Sequence, residues 1–306
     1  MAYALRTFGL TKRYKKQLAV NGVDMCVEQG DIYGFVGENG SGKTTVIRLV
    51  TGMIAPSAGD FELFGVKSSS PEILTARKQV GAIVESPSLY LNFSAKENLK
   101  MQASLLGITD EEKCKAVLTT VGLAEVYHSN KKVGDFSLGM RQRLGIAMAL
   151  LGEPKLLLLD EPLNGLDPAG IVEVRELILQ LNREHGITFL ISSHILSELS
   201  LVATKYGIIS KGKIVREITA QELKQECRQS TYFCATDSEK LVAVLSTMVE
   251  KEDLIAFAGG ARVFGALDLN EVFAKLNEAG VAVSSVNSRE AGIEEFYLSL
   301  LGVQNA

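Results

Sequence analysis

Apolar residues in this chain recur at changing intervals, and each interval predicts a different element. Over the opening stretch they come in short runs. Ala4–Phe8 and Val23–Val27 read as strands, with Asn21-Gly22 and Gln29-Gly30-Asp31 as turns. Ile32–Val36 is a third run, ended by Gly37. A glycine-rich loop follows, then a helix from about Gly42 to Val50, with Gly52 where a left-handed residue would close it. From about 90 to 152 the spacing turns helical. Ser94-Ala-Lys-Glu97 and Thr109-Asp-Glu-Glu112 read as capping boxes, and Cys114, Val117, Leu118 and Val121 fall on one helical face. Ser137 is the candidate N-cap of a third helix carrying Leu144, Ala147, Met148 and Leu151.

Strands then return. Leu156–Leu159 is an unbroken apolar run, as in a strand covered on both faces of a parallel sheet. Asp167-Pro168 supplies an N-cap and a first-turn proline to a helix with Ile171, Val174, Ile178 and Leu181 as its stripe, ended by His185-Gly186. Ile187–Ser192 is the next strand. Tyr206–Ile209 and Lys213–Ile218, joined by Ser-Lys-Gly, read as a hairpin. This alternation predicts an α/β domain over residues 1–225, interrupted by a helical insert at about 90–152. A second domain is expected over 228–306. Its elements are strand Thr231–Ala235, helix Ser238–Val249, strand Leu254–Ala258, strand Arg262–Gly265 after a Gly259-Gly260 turn, helix Leu269–Ala279, strand Val281–Val286 and helix Gly292–Leu301. The order βαββαβ predicts a small α+β, ferredoxin-like fold.

Composition narrows the function classes. The 306 residues suffice for two domains, and 46% apolar with 22% charged residues excludes disorder. With 32 Lys+Arg against 36 Asp+Glu, the net charge of −4 argues against a nucleic-acid partner. Cys26, Cys114, Cys227 and Cys234 lack a C-x-x-C spacing and read as small hydrophobes in a reducing compartment. The longest apolar stretch, Leu144–Leu159, is broken by Glu153, Pro154 and Lys155, so no segment reaches the roughly 20 apolar residues that cross a bilayer. Met1–Arg13 has no secretory core. A cytoplasmic protein is expected, with any membrane role supplied by a partner.

The chemistry concentrates at two places. Gly37-Glu38-Asn39-Gly40-Ser41-Gly42-Lys43-Thr44 has the form G-x-x-x-x-G-K-[ST], with Thr45 next. Glycines let consecutive N–H groups curl round phosphate oxygens, and the helix that follows adds its dipole. Lys43 is placed to reach β- and γ-phosphates, and Thr44 to offer a hydroxyl to Mg²⁺. Leu156-Leu-Leu-Leu-Asp160-Glu161 puts two acids at the carboxyl end of a strand, where ligands bind in open α/β sheets. Asp160 suits hydrated Mg²⁺, and Glu161 suits polarising an attacking water.

With these motifs in this order, residues 3–220 resemble the nucleotide-binding subunit of ATP-binding cassette (ABC) transporters. Phe136-Ser137-Leu138-Gly139-Met140-Arg141-Gln142-Arg143 is similar to the family signature, with Leu138 and Met140 as departures and Ser137 and Gly139 kept. The resemblance implies a P-loop ABC cassette: a mostly parallel sheet, N-terminal antiparallel strands and the helical insert. It implies ATP and Mg²⁺ as ligands, buried between two head-to-tail copies, with Ser137 and Gly139 facing the nucleotide of the second copy. By the same resemblance Asn164-Gly165-Leu166-Asp167 is a D-loop, Tyr14 stacks on adenine, and His194 contacts the γ-phosphate and the attacking water. His128 and His185 read as structural.

One departure is informative. The family normally has Gln at the position of Glu85, in Val84-Glu85-Ser86-Pro87-Ser88. A carboxylate there would add a charge near the metal and remove a donor. Together with the Ser-Leu-Gly-Met signature, it is similar to the cassettes of bacterial bacitracin-resistance and lantibiotic-immunity exporters. The resemblance implies an ATPase serving a separate membrane permease, docked on the inner face of the cell membrane. The segment from Glu85 to Asn98 would touch that permease. A non-transport ABC ATPase, an unrelated cargo, or a Glu85 without bearing on substrate stay open at this point.

Overall fold

The computed structural model describes residues 2–300 apart from 228, 266, 291 and 292. The chain divides into two compact units, Met1–Ala220 and Gln221–Ala306.

In the first unit the opening runs extend into two long strands, β1 (Tyr3–Tyr14) and β2 (Gln17–Glu28), paired antiparallel. Their turn is Lys15-Lys16, with Lys15 at a φ of 50°. Asn21-Gly22, expected as a turn, lies inside β2. Leu10 pairs with Val23 and Lys12 with Val20, so an extra residue bulges out there, and Gly22 takes a φ of 64° to allow it. β3 (Ile32–Val36) leads into α1 (Lys43–Thr51), closed by left-handed Gly52. β4 (Ala58–Leu63), β5 (Val66–Lys67) and α2 (Ile73–Arg77) follow and had no clear sequence signal.

β6 (Val80–Ile83) precedes the insert of α3 (Ala95–Leu105), α4 (Glu111–Thr120) and α5 (Leu138–Leu150). Ser94 and Glu97 form the expected reciprocal capping box on α3. On α4 the cap is Asp110, whose side chain accepts from the Glu112 N–H, and Thr109 is not the capping residue. β7 (Leu156–Asp160), α6 (Pro168–His185), β8 (Thr188–Ser193), α7 (Leu196–Leu199), β9 (Lys205–Ser210) and β10 (Lys213–Thr219) complete the unit.

Two sheets result. One is antiparallel, in the order β2-β1-β4-β5; the other is β10-β9-β3-β8-β7-β6, parallel except for the edge strand β10. Every residue of β3, β7 and β8 is buried, as befits strands covered on both faces. One apolar cluster joins Leu5, Met25 and Phe61 of the antiparallel sheet, Val46 and Leu49 of α1, and Phe35, Leu156, Leu158 and Leu190 of the parallel sheet. Helix α1 is therefore clamped on its apolar side, and its N-terminus is fixed at the carboxyl ends of β3, β7 and β8. Each such fully buried Leu contributes about 1.5–3 kcal/mol.

The second unit contains α8 (Ala220–Glu226, from the boundary), β11 (Gln229–Ala235), α9 (Ser238–Leu245), β12 (Leu254–Phe257), β13 (Gly260–Phe264), α10 (Leu269–Glu278), β14 (Val283–Glu290) and α11 (Ile293–Leu300). Its sheet is antiparallel, in the order β12-β13-β11-β14. Leu241 and Leu245 of α9 and Val272 and Leu276 of α10 pack with Phe233, Ala261 and Val263, so both helices cover one face. On the other face Arg262 stacks over Tyr232 and Phe264 at 5.0 and 4.3 Å. The expected start at 228 and the outer ends of the last helix, Gly292 and Leu301, lie outside the described residues.

Candidate active site

The glycine loop joins β3 to α1. Gly42 precedes the helix at a φ of 115°, a conformation strained for any other residue, and a Cβ there would meet the Ala19 carbonyl at 2.6 Å. A Cβ on Gly37 would meet the Ile209 carbonyl at 2.4 Å. No side chain caps α1, so its first N–H groups face the loop mouth, ready for an anion. Lys43, only 5% exposed, folds over the loop: its ammonium donates to the Gly37 carbonyl at 2.6 Å and the Glu38 carbonyl at 3.3 Å. The same ammonium lies 3.2 Å from Glu161 Oε1.

The two acids diverge, as consecutive residues at a strand end must. Asp160 is buried, accepting from Thr44 Oγ1 at 2.7 Å and from Ser192 Oγ at 2.5 Å. Glu161 leaves the strand at a φ of 50°, in the left-handed region, where a non-glycine residue costs about 1–3 kcal/mol. Its N–H is held by the Ser192 carbonyl and hydroxyl at 3.1 and 3.0 Å. Its Oε2 is 2.8 Å from His194 Nδ1, a contact in which a proton on that nitrogen is donated to the carboxylate. Glu198 on α7 feels the same group of charges. Burial raises its carboxyl above the usual range, His194 pulls against that rise and Glu161 adds to it.

Beside the loop lies a cavity of about 330 Å³, lined by Tyr14, Gln17, Ala19, Asn39, Gly40, Gly42, Lys43, Thr44, Thr45 and Glu161. Tyr14, 41% exposed, stands at the end of β1 with Lys12 Nζ 5.3 Å from its ring. Gln17 was not anticipated. It pairs with Tyr14 across a two-residue turn that carries no glycine or asparagine signal. Gly37, Glu38 and Ser41 are not part of this lining; Gly37 and Ser41 are buried and Glu38 is exposed. Ser41 Oγ is buried without a hydrogen-bond partner.

Other expected residues stand apart. Glu85, expected near the metal, has a φ of 63°; its Oε1 pairs with Arg48 of α1 at 2.6 Å, and its side chain is 64% exposed. Ser137 caps α5 by accepting from the Met140 N–H at 3.2 Å. Gly139 is buried beside Gly170, and Leu138 lies over Gly165, so the signature and the stretch 164–167 form one surface. Neither Ser137 nor Gly139 lines the cavity of their own chain. Asp167 caps α6 through the Gly170 N–H at 3.1 Å. His185 sits in the last turn of α6, and His128 meets Tyr127 edge-on at 4.9 Å.

These residues fit a magnesium nucleotide. Thr44 and Asp160 are hard oxygen donors converging beside the uncapped helix end, and Glu161 Oε1 is buried with no hydrogen bond. Among the described residues no group of three or more His, Cys, Asp or Glu gathers to hold a metal.

A glycine cradle before an uncapped helix, faced by two acids at the end of β7, one strand removed from β3, defines a P-loop nucleotide-binding protein. Residues 20–164 match the ABC transporter family, and 130–200 also match an AAA domain. The chain is 42% identical over 309 residues to the bacitracin transport ATP-binding protein BcrA of Bacillus licheniformis, covering 99% of this chain and 98% of that protein. It is 42% identical over 213 residues to the lantibiotic transport ATP-binding protein SrtF of Streptococcus pyogenes, covering 70% and 90%. Among solved structures, cbiO1 of Clostridium perfringens, part of the ABC transporter complex cbiONQ, superimposes with a TM-score of 0.66 at 26% identity, covering 74% of this chain and 92% of that one. The chain belongs to the ATP-binding subunits of ABC transporters.

Proposed function

We propose that this subunit hydrolyses ATP to drive a separate membrane permease that exports a peptide antibiotic of the bacitracin or lantibiotic type. The observation that carries this reading is the reach of the BcrA similarity. It runs through 99% of the chain, including the C-terminal unit, at 42% identity. Deleting the gene in its host should lower the bacitracin or lantibiotic concentration that stops growth. Unchanged susceptibility to both would overturn the cargo class.

The geometry supplies the parts for hydrolysis. Tyr14 offers a face for adenine, with Gln17 beside it. The N–H groups of residues 40–45 and the Lys43 ammonium take the phosphates. Thr44 and Asp160 would hold Mg²⁺, which neutralises charge on the β- and γ-oxygens. Glu161 would act as the base for water once the Lys43 ammonium, 3.2 Å from Oε1, turns to the phosphates, and His194 steadies the other oxygen of the same carboxylate. Ser137 and Gly139, exposed or packed away from their own cavity, suit the nucleotide of a second copy. ATP would thus close two cassettes head to tail, and hydrolysis would reopen them.

For the permease, a cavity of about 320 Å³ lies between β6, α3 and α5, lined in part by Met53, Val84, Pro87, Leu106 and Met148. Exposed Tyr90, Leu91, Phe93 and Leu105 border the same insert. The cavity is also lined by Arg77, Lys78, Ser86 and Gln102, and this mixed groove with its exposed aromatic and leucine border suits an amphipathic helix of a membrane subunit, which would hold the cassette at the inner face of the membrane. None of the described helices is itself long and apolar enough to cross one. The second unit, with its βαββαβ order and both helices on one face, is read as a ferredoxin-like accessory domain.

A further inference from the structure

We infer that Ser192 is the positioning residue of this hydrolysis site: one hydroxyl that sets both acids at once. The inference rests on the reading of Asp160 and Glu161 as the Mg²⁺ and water-activating carboxylates, and it adds the group that aims them.

Ser192 lies on β8, beside β7, paired in register with Asp160, and is fully buried. Its Oγ makes two bonds of opposite sense. It donates its single proton to Asp160 Oδ1 at 2.5 Å and accepts the Glu161 N–H at 3.0 Å. A hydroxyl has one proton to give, so this arrangement fixes the direction of both bonds. Two consequences follow. Asp160 Oδ1 is occupied, which turns Oδ2 toward Thr44, the side where the cation would sit. The Glu161 backbone, in its left-handed conformation, is anchored at the amide, which directs its carboxylate across to Lys43 and His194 instead of along the strand. The neighbouring Ser193 does something different: its Oγ accepts from the Ile195 N–H at 3.0 Å and steadies the turn after the strand.

Removing the hydroxyl leaves Asp160 Oδ1 in a site 1% exposed with no donor in place of it. The carboxylate must then rotate toward other donors, Thr44 among them, and the cation loses its aligned oxygen. Outer groups that orient a metal ligand change metal affinity by about 10–100-fold when removed. The phosphate cradle is untouched, because Ser192 makes no bond to residues 37–45.

The test uses the full chain and a fluorescent ATP analogue (MANT-ATP), titrated with and without Mg²⁺, alongside steady-state hydrolysis. In Ser192→Ala, Mg²⁺-free analogue binding should match wild type. The Mg²⁺ concentration giving half-maximal tightening should rise roughly 10-fold or more. Turnover should fall with little change in KM, and Ser192→Thr, which keeps the hydroxyl, should recover both. Ser192→Cys, close in size but a weak donor, should behave like the alanine variant and stands in for it if alanine does not fold. Wild-type Mg²⁺ dependence in both the Ala and Cys variants would overturn the positioning role, as would an equal loss of Mg²⁺-free binding. If wild type itself binds the analogue without any Mg²⁺ effect, the assignment of Asp160 fails, and the role of Ser192 fails with it.

Discussion

Two carboxylate regions of this molecule were legible as chemistry, and they are built in opposite ways. Asp160 and Glu161 sit at the end of a fully buried strand, and each of their carboxylate oxygens meets a named partner: Thr44 and Ser192 at Asp160, Lys43 and His194 at Glu161. Glu85 sits just past the shorter strand β6, with most of its side chain in solvent and one ion pair to Arg48. The first region is held by a core; the second is held by a contact that water competes with. Preorganised groups belong where charge must be stabilised during reaction, and weakly held ones where a segment must move. Position along the sheet, more than residue type, separates the two.

The largest effect expected from breaking the first region is on turnover. Glu161→Gln keeps the shape and removes the base, so hydrolysis should fall by about 10²–10⁴-fold while ATP still binds and a closed dimer accumulates. Phosphate release and light scattering check this together. Lys43→Ala comes next. It removes a charged donor at the loop mouth, and ATP affinity should drop by roughly 10–100-fold in an equilibrium titration. Leu158→Ala empties the packing behind the acids and should destabilise folding by about 2–5 kcal/mol in denaturant unfolding.

The exposed region should respond more weakly. Glu85→Gln should leave ATP affinity unchanged and alter antibiotic resistance in cells; unchanged resistance would separate Glu85 from coupling. Glu111 of the insert is the smallest case. Lys100 first, then Lys96, hold its carboxyl down to about 2, although it is exposed. A lowered carboxyl contributes stability that is fully present above its unfolded value of 4.5 and is lost as pH falls toward about 2. Wild type and Glu111→Gln should therefore differ slightly in unfolding at pH 6, converge near pH 2, and converge at any pH in high salt.

What the sequence disclosed follows the same division. Features that depend on neighbours in the chain were readable: the glycine loop, the apolar run ending in Asp160-Glu161, and the caps Ser94, Ser137 and Asp167. Thr109 was misjudged because Asp110 competes for the same cap with a charged, shorter-range acceptor. Asn21-Gly22 looked like a turn because bulges and turns use the same left-handed glycine. The segment 58–77 has little signal because Gly59, Asp60 and Glu62 leave β4 without an apolar run, β5 has two residues and the helix little more than one turn. Partners brought together by the sheet left no local trace. Ser192 is one serine among several, Gln17 lies across an unmarked turn, and nothing near Glu85 announces that Arg48 will bind it.

The central claim is that the triphosphate of ATP rests on the loop 37–45 under Lys43, with a second copy closing the site. A crystal structure of the Glu161→Gln variant grown with Mg-ATP tests it most directly. Phosphates on the loop amides, adenine against Tyr14, and Ser137 of the other copy at the γ-phosphate are the predicted result. Nucleotide bound elsewhere, or a loop without phosphate at saturating Mg-ATP, would contradict the account.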